Sequence, residues 1–220
     1  MIPTTKFKAA LGGLALIAAA VLPANANAAA VPDSVSVATS KPVPKLGYST
    51  QSVKTLNIDF QYQQTGYWCG PAATRIALSA RISPPSQQQL ANELPTTTNG
   101  TDWIGQVTRV LNNHLGTGWY ETKEMPNDPP TQAQRDLLWR DVVLDIDNNY
   151  PIVANIVAPA SNHPPGYPNY TIYHYFTVIG YDSSDQTVLI ADPAGFAPTA
   201  TYWLTFNQLA TLIPPKGYAA

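Results

Sequence analysis

Cysteine is nearly absent from this chain. Among 220 residues there is one, Cys69, so no disulfide can form within the molecule. Charge is also scarce, at 12% of residues, and histidine occurs only three times. Long apolar stretches are missing too. The longest, Ala9–Leu22, has 14 residues and falls short of a comfortable bilayer span. Each scarcity excludes something. With 12 basic against 14 acidic side chains there is no basic excess, so neither nucleic acid nor an anionic membrane surface is an expected partner. No Cys or His cluster has metal-ligand spacing, and no glycine-rich phosphate loop or dinucleotide fingerprint appears, so no cofactor is expected.

The N-terminus carries an address. Lys6 and Lys8 precede the apolar run, Pro23 breaks it, and Ala24–Ala30 offers small-x-small cleavage sites. That is the grammar of a signal peptide, with cleavage expected after Ala28 or Ala30. No cysteine follows closely for a lipid anchor, and no paired arginines precede, so the general secretory route and an extracellular location are expected. Removing residues 1–30 takes two lysines and leaves 190 residues with 10 basic against 14 acidic side chains, a net charge near −4. This is one domain of ordinary size, expected to be a monomer.

An oxidising compartment makes the lone cysteine informative, because secreted chains ordinarily use cysteines in pairs. Residues 31–55, rich in Ser, Thr, Pro and Val, read as an extended N-terminal segment, and the domain is placed at 56–220. Leu56–Gln63 is a candidate approach strand. Cys69-Gly70-Pro71 then opens an Ala-rich helical run ending at Ser83-Pro84-Pro85. Ser86 caps Gln87–Leu94, Thr101 or Asp102 caps Trp103–Leu115 with Gly116 as terminator, and Thr131 caps Gln132–Asn149. Gly118–Met125 is a candidate strand. From Ile152 the period changes. Ile152–Ala158, Ile172–Tyr181, Thr187–Ala191 and Thr201–Leu204 read as strands, and Phe206–Ile213 as a short helix. Helices first and antiparallel strands second define an α+β class.

Cys69 sits at a helix start, where free N–H groups and the dipole favour a thiolate; the alternative is a small buried capping residue. A thiol nucleophile needs a base. His114 lies at a helix end and reads as structural, and His163 lies in the Pro-rich loop Pro159–Asn169 and reads as solvated. His174, near the start of a strand with Phe176 and Val178 on its face, is the best partner. If Asp182–Asp185 is the turn of a hairpin, His174 falls opposite position 192 or 193, and Asp192 is there to orient the imidazole. A side-chain amide just before Cys69 suits an oxyanion donor, and Gln61, Gln63 and Gln64 all qualify.

Gln63, five intervening residues, Cys69-Gly70-Pro71-Ala72-Ala73, then His174-Tyr175-Phe176-Thr177-Val178-Ile179-Gly180-Tyr181-Asp182 and Ile190-Ala191-Asp192-Pro193 resemble family 39 of the papain-clan cysteine peptidases and its extracellular relatives. The resemblance covers roughly residues 56–213. It implies a papain-like fold, Cys69 as nucleophile, His174 as base, Asp192 as orienting residue and Gln63 as oxyanion donor. It also implies a peptide or protein substrate. Founding members cut bacteriocin precursors after double-glycine leaders, usually while fused to a transporter; the present chain shows no nucleotide-binding motif, so the substrate stays open. Two other classes of function fit the same residues. One is a cell-wall amidase or transferase. The other is a non-enzymatic binding module that uses the aromatic stretch Tyr167, Tyr170, Tyr173 and Tyr175 with Tyr67 and Trp68.

Overall fold

The computed structural model describes residues 52–220, so the signal-peptide reading of residues 1–30 and most of the 31–55 segment lie outside the described residues. The elements run β1 (Val53–Thr55), α1 (Cys69–Ser79), α2 (Gln87–Glu93), α3 (Ile104–Leu115), β2 (Thr122–Glu124), α4 (Gln132–Asp147), β3 (Ile152–Ala158), β4 (Ile172–Asp182), β5 (Thr187–Ala191), β6 (Thr201–Thr205), α5 (Phe206–Leu212) and β7 (Gly217–Ala219). The strands form one antiparallel sheet in the order β2-β7-β3-β4-β5-β6, with β1 added alongside the far end of β4. Mixed helices and an antiparallel sheet make this an α+β fold.

Both faces of the sheet are covered. Val153, Tyr175 and Ala219 pack with Ala73, Leu90, Val107 and other residues of α1–α3. Ile152, Ala154, Ile156, Phe176 and Val178 pack with Leu138, Val142 and Ile146 of α4 and Leu209 of α5. This is why Ile152–Ala158 reads as a continuous apolar run rather than an alternating one: a strand buried on both faces needs no polar side. The alanines of α1 have a similar cause. Ala72, Ala73 and Ala77 are wholly buried, and small side chains let the helix lie close against β4 and β3. Thr177 Oγ1 on β4 donates to Ala73 O at 2.9 Å, tying the two elements directly.

The caps are partly as expected. Ser86 and Thr131 accept from Gln89 N and Gln134 N, and Gly116 closes α3 in the left-handed conformation, φ 59°. Thr101 and Asp102 do not cap α3. Its first residue is Ile104, Trp103 holds the cap position, and Gln106 Oε1 accepts from Trp103 N. Thr101 is drawn elsewhere: its hydroxyl pairs with Thr96 and its carbonyl accepts from Tyr175 OH.

Two strand expectations change, and one strand is new. Leu56–Gln63 is not a strand; β1 is formed by the three residues before it, Val53–Thr55, at the end of the segment read as a lead-in. Side chains instead satisfy part of the 56–64 backbone: Asp59 N donates to Ser79 Oγ, Arg75 donates to Asp59 O, and Gln64 N donates to Gln87 Oε1. The strand expected over Gly118–Met125 contracts to Thr122–Glu124, because the Asn112 carboxamide holds the backbone of Tyr120 on both its N–H and its carbonyl. β7, which the sequence reading lacked altogether, lies between β2 and β3.

Candidate active site

Cys69 at the N-terminus of α1 and Tyr175 of β4 belong to one core, which brings the thiol to the first residues of β4. Cys69 is the first residue of α1, is 9% exposed and is a free thiol. Gly70 follows because nothing larger fits: a Cβ there would stand 2.3 Å from Thr101 Oγ1. The Thr101 loop is thereby brought against the thiol. Cys69, Gly100, Thr101, Asn155, Tyr173 and His174 are among the residues lining a cleft of about 180 Å³.

Burial of the thiol pushes its pKa up. Against that act a hydrogen bond to the His174 imidazole, the charge on that ring, and the backbone N–H groups of Tyr175 and Gly70. Together they outweigh burial and hold the thiol below its ordinary value. His174 is 4% exposed, and its Nε2 lies 2.8 Å from Asp192 Oδ1. Burial alone lowers an imidazole pKa, but the Asp192 carboxylate and the Cys69 sulfur raise this one to about 10. Asp192 is displaced the other way. Burial raises it, and the His174 charge, with donors from Tyr202 and Ala194 N, brings it down to about 2. These displacements favour a thiolate–imidazolium pair beside an ionised carboxylate at neutral pH.

The path from hairpin to carboxylate differs from the expected register. The β4–β5 ladder pairs Asp182 with Thr187 and Tyr181 with Val188, is interrupted by a bulge at Ile179, and ends at Thr177–Ala191. His174 therefore lies beyond the β4–β5 ladder; its strand partner is Ile156 of β3, and no residue of β5 faces it. Asp192 reaches it from the turn that follows, where Asp192 N donates to Ala200 O and Asp192 Oδ1 accepts from Ala194 N.

Gln63 is tied to the same turn, its backbone N donating to Pro193 O at 2.9 Å. Its carboxamide folds back, with Nε2 donating to Thr65 O at 2.9 Å, and Oε1 is buried without a partner. Gln61 and the backbone of Gln64 are engaged instead with Gln87. The other two histidines lie apart. His114 Nε2 pairs with Glu93 Oε2 at 2.6 Å, and half-buried His163 contacts Pro164 O. Among the described residues no three His, Cys, Asp or Glu side chains are grouped to hold a metal ion. A larger cavity, about 620 Å³ between α4 and the start of α5, contains none of the four predicted site residues.

Some residues at the site escaped sequence reasoning. Asn155 donates to Tyr175 OH, which donates to Thr101 O, forming a buried chain under the cleft. Tyr167 and Tyr202 both donate to Asp192. In the sequence Tyr167 is one of several aromatics in the same stretch. Nothing in its local sequence points to a carboxylate 25 positions later.

A thiol held below its ordinary pKa beside a carboxylate-backed imidazole meets the chemical requirements of a thiol nucleophile with its base. The chain belongs to the Peptidase_C39 like family, whose profile matches residues 55–211. Among curated proteins, no sequence matches. Three solved structures are similar to the chain over about three quarters of its length. One is the peptidase domain of Streptococcus ComA, a bifunctional ABC transporter (18% identity, 74% of this chain and 98% of that one, TM-score 0.47). Another is a putative C39-like peptidase from Bacillus anthracis (14%, 76% and 96%, TM-score 0.49). The third is xylellain, a cysteine protease from Xylella fastidiosa (14%, 76% and 85%, TM-score 0.48).

Proposed function

We propose that the protein is a secreted cysteine peptidase that hydrolyses peptide bonds through Cys69, His174 and Asp192. The observation that carries this reading is the buried bond between His174 Nε2 and Asp192 Oδ1 at 2.8 Å, with Cys69 and His174 lining the same cleft. With Nε2 committed to Asp192, Nδ1 is the nitrogen left for the thiol.

The thiolate attacks the scissile carbonyl carbon, a C–S bond forms, and the π electrons move to oxygen. The Cys69 backbone N–H, at the start of α1, stabilises that oxyanion, and Gln63 supplies a second donor once its carboxamide turns from Thr65 toward the thiol. As the tetrahedral intermediate collapses, the C–N bond breaks and the imidazolium gives its proton to the departing amine. Water then adds to the thioester with His174 as base, and the acid is released with the thiol restored. Asp192 holds the ring in orientation throughout.

The Lys6–Ala30 signal pattern supports export, and family membership supports peptide substrates. The test is alkylation of Cys69 by iodoacetamide near neutral pH, with casein hydrolysis alongside. Fast labelling that falls on His174→Ala, with casein cleaved by wild type and spared by Cys69→Ala, is expected. An inert Cys69 in folded protein defeats the proposal. Clearing of a peptidoglycan suspension without casein hydrolysis moves the substrate to the cell wall.

A further inference from the structure

The Asp192 carboxylate receives more donors than an orienting group needs. Oδ1 accepts His174 Nε2 at 2.8 Å and Ala194 N at 2.9 Å, and Oδ2 accepts Tyr167 OH at 2.7 Å and Tyr202 OH at 2.6 Å. The residue is 2% exposed, so these four bonds replace its hydration. The two tyrosines come from different parts of the fold. Tyr167 lies in the Pro-rich connection between β3 and β4, and Tyr202 lies on the edge strand β6.

We propose that Tyr167 and Tyr202 form a clamp that positions Asp192, and through it sets the orientation and proton affinity of His174 and the reactivity of Cys69. The proposal rests on the thiol-peptidase reading for its catalytic consequence, though not for its geometry. Rotation of the carboxylate about its Cβ–Cγ bond exchanges Oδ1 and Oδ2 or lifts both out of the donor plane. With one tyrosine pair on one oxygen and one nitrogen pair on the other, such a rotation breaks several bonds at once in a site that water does not reach. Two hydroxyl donors on Oδ2 also spread the negative charge and make the carboxylate less basic. The proton shared with His174 therefore stays on Nε2, which leaves Nδ1 facing the thiol. Burial pushes both tyrosine hydroxyls well above their ordinary range, and the Asp192 charge pushes them further. They remain protonated, and so remain donors, throughout the range in which a thiol enzyme works.

The connection carrying Tyr167 is fitted to this task. Its ring lies edge-on to His174, centroids 6.0 Å apart, and to Phe196, 5.0 Å apart. Gly166, immediately before it, has φ +79°, and a Cβ there would stand 2.3 Å from Phe196 O. A side chain at 166 is thus excluded twice, by conformation and by contact. The Pro159–Asn169 connection and the turn after Asp192 are closed against each other, and the triad carboxylate lies in the join. These residues are tyrosines rather than phenylalanines because the hydroxyl, not the ring, reaches Oδ2.

The experiment compares the wild type with Tyr167→Phe, Tyr202→Phe and the double variant, using full-length protein whose folding is checked by thermal melting. Two signals are read. One is the histidine ring resonances of His174 in labelled protein, which report its tautomer and titration without any need for thiol reactivity. The other is the pH profile of Cys69 alkylation. Each Phe variant is expected to move the acid limb of alkylation up by about one pH unit, the scale set by one hydrogen bond to a charged group. The double variant is expected to move it by less than twice that, because both donors serve one oxygen. The His174 ring signals shift in step. Gly166→Ala, which disturbs the loop and keeps the hydroxyl, is expected to reproduce the Tyr167→Phe shift. Ring signals and alkylation profiles that overlay on wild type overturn the clamp, even if melting falls. A wild-type Cys69 that alkylates like a free thiol instead defeats the peptidase reading, and the His174 signals still decide the clamp.

Discussion

Replacing Asp145 with asparagine should make the protein more stable in alkaline solution and change it little in acid. Asp145 lies on α4 and is 3% exposed. Its Oδ1 accepts Trp119 Nε1 at 3.0 Å, while Oδ2 is buried with no partner. Burial raises its pKa, the Trp119 bond opposes the rise, and Asp141 one turn earlier adds to it, for a result of about 7 against an ordinary 3.8. The folded value is the higher one. The folded protein therefore keeps its full stability below about pH 4 and loses it as the pH climbs through about 7, where the buried carboxyl is forced to ionise. A displacement from 3.8 to about 7 corresponds to about 4 kcal/mol. Asparagine does not titrate, yet it retains an amide oxygen for Trp119 Nε1. Urea denaturation of both proteins from about pH 4 to about pH 8 gives the difference in unfolding free energy at each pH. Groups common to both, His174 included, cancel in that difference. It should grow by about 4 kcal/mol in favour of Asp145→Asn between the two ends, most steeply between about pH 5 and 7. A difference that stays constant with pH refutes the reasoning, because it leaves Asp145 with the same proton affinity folded and unfolded.

Three further outcomes are expected. Gly70→Ala, with its new methyl 2.3 Å from Thr101 Oγ1, displaces the cleft loop; peptidase activity falls, and unfolding free energy drops by about 1–3 kcal/mol. Thr177→Val removes the hydroxyl that bonds Ala73 O but conserves shape, so the cost by denaturation is about 1 kcal/mol, with the catalytic residues untouched. The pH–rate profile should keep its plateau well into the alkaline range. Deprotonation of the imidazolium, near pH 10, removes the acid needed by the leaving amine; an alkaline limb near the ordinary histidine value contradicts this assignment.

Much of the fold was legible because it depends on nearby residues. Pro71 two places after Cys69, the Ser86 and Thr131 caps and the apolar run Ile152–Ala158 each specify an element through local chemistry. What depends on distant partners was not. Val53–Thr55 and Gly217–Ala219 are three-residue strands whose pattern carries no signal, and they exist because Asp182–Gly180 and the pair β2–β3 offer them free edges. The hairpin turn led to Asp192, yet the bulge at Ile179 and the early end of the ladder mean that a turn, not a ladder, brings the carboxylate to His174. Of the four predicted residues, Cys69, His174 and Asp192 stand together, and Gln63 is attached through Pro193 with its amide directed at Thr65. The Tyr167 and Tyr202 hydroxyls were invisible in advance, since tyrosine in a loop or an edge strand looks the same whether or not it meets a carboxylate.

The place of β7 has a consequence for the order of events during synthesis. Residues 217–219 fill the gap between β2 and β3, one strand in from the edge of the sheet. Translation delivers Cys69, His174 and Asp192 before it delivers Tyr218, yet until residues 217–219 arrive, β2 has no neighbour in the sheet and β3 has an open side. A nascent chain therefore holds every reacting group of the proposed enzyme while lacking the strand that joins its two flanks. The β2 flank can join the rest of the sheet only after residues 217–219 have been made, so this part of the fold closes last.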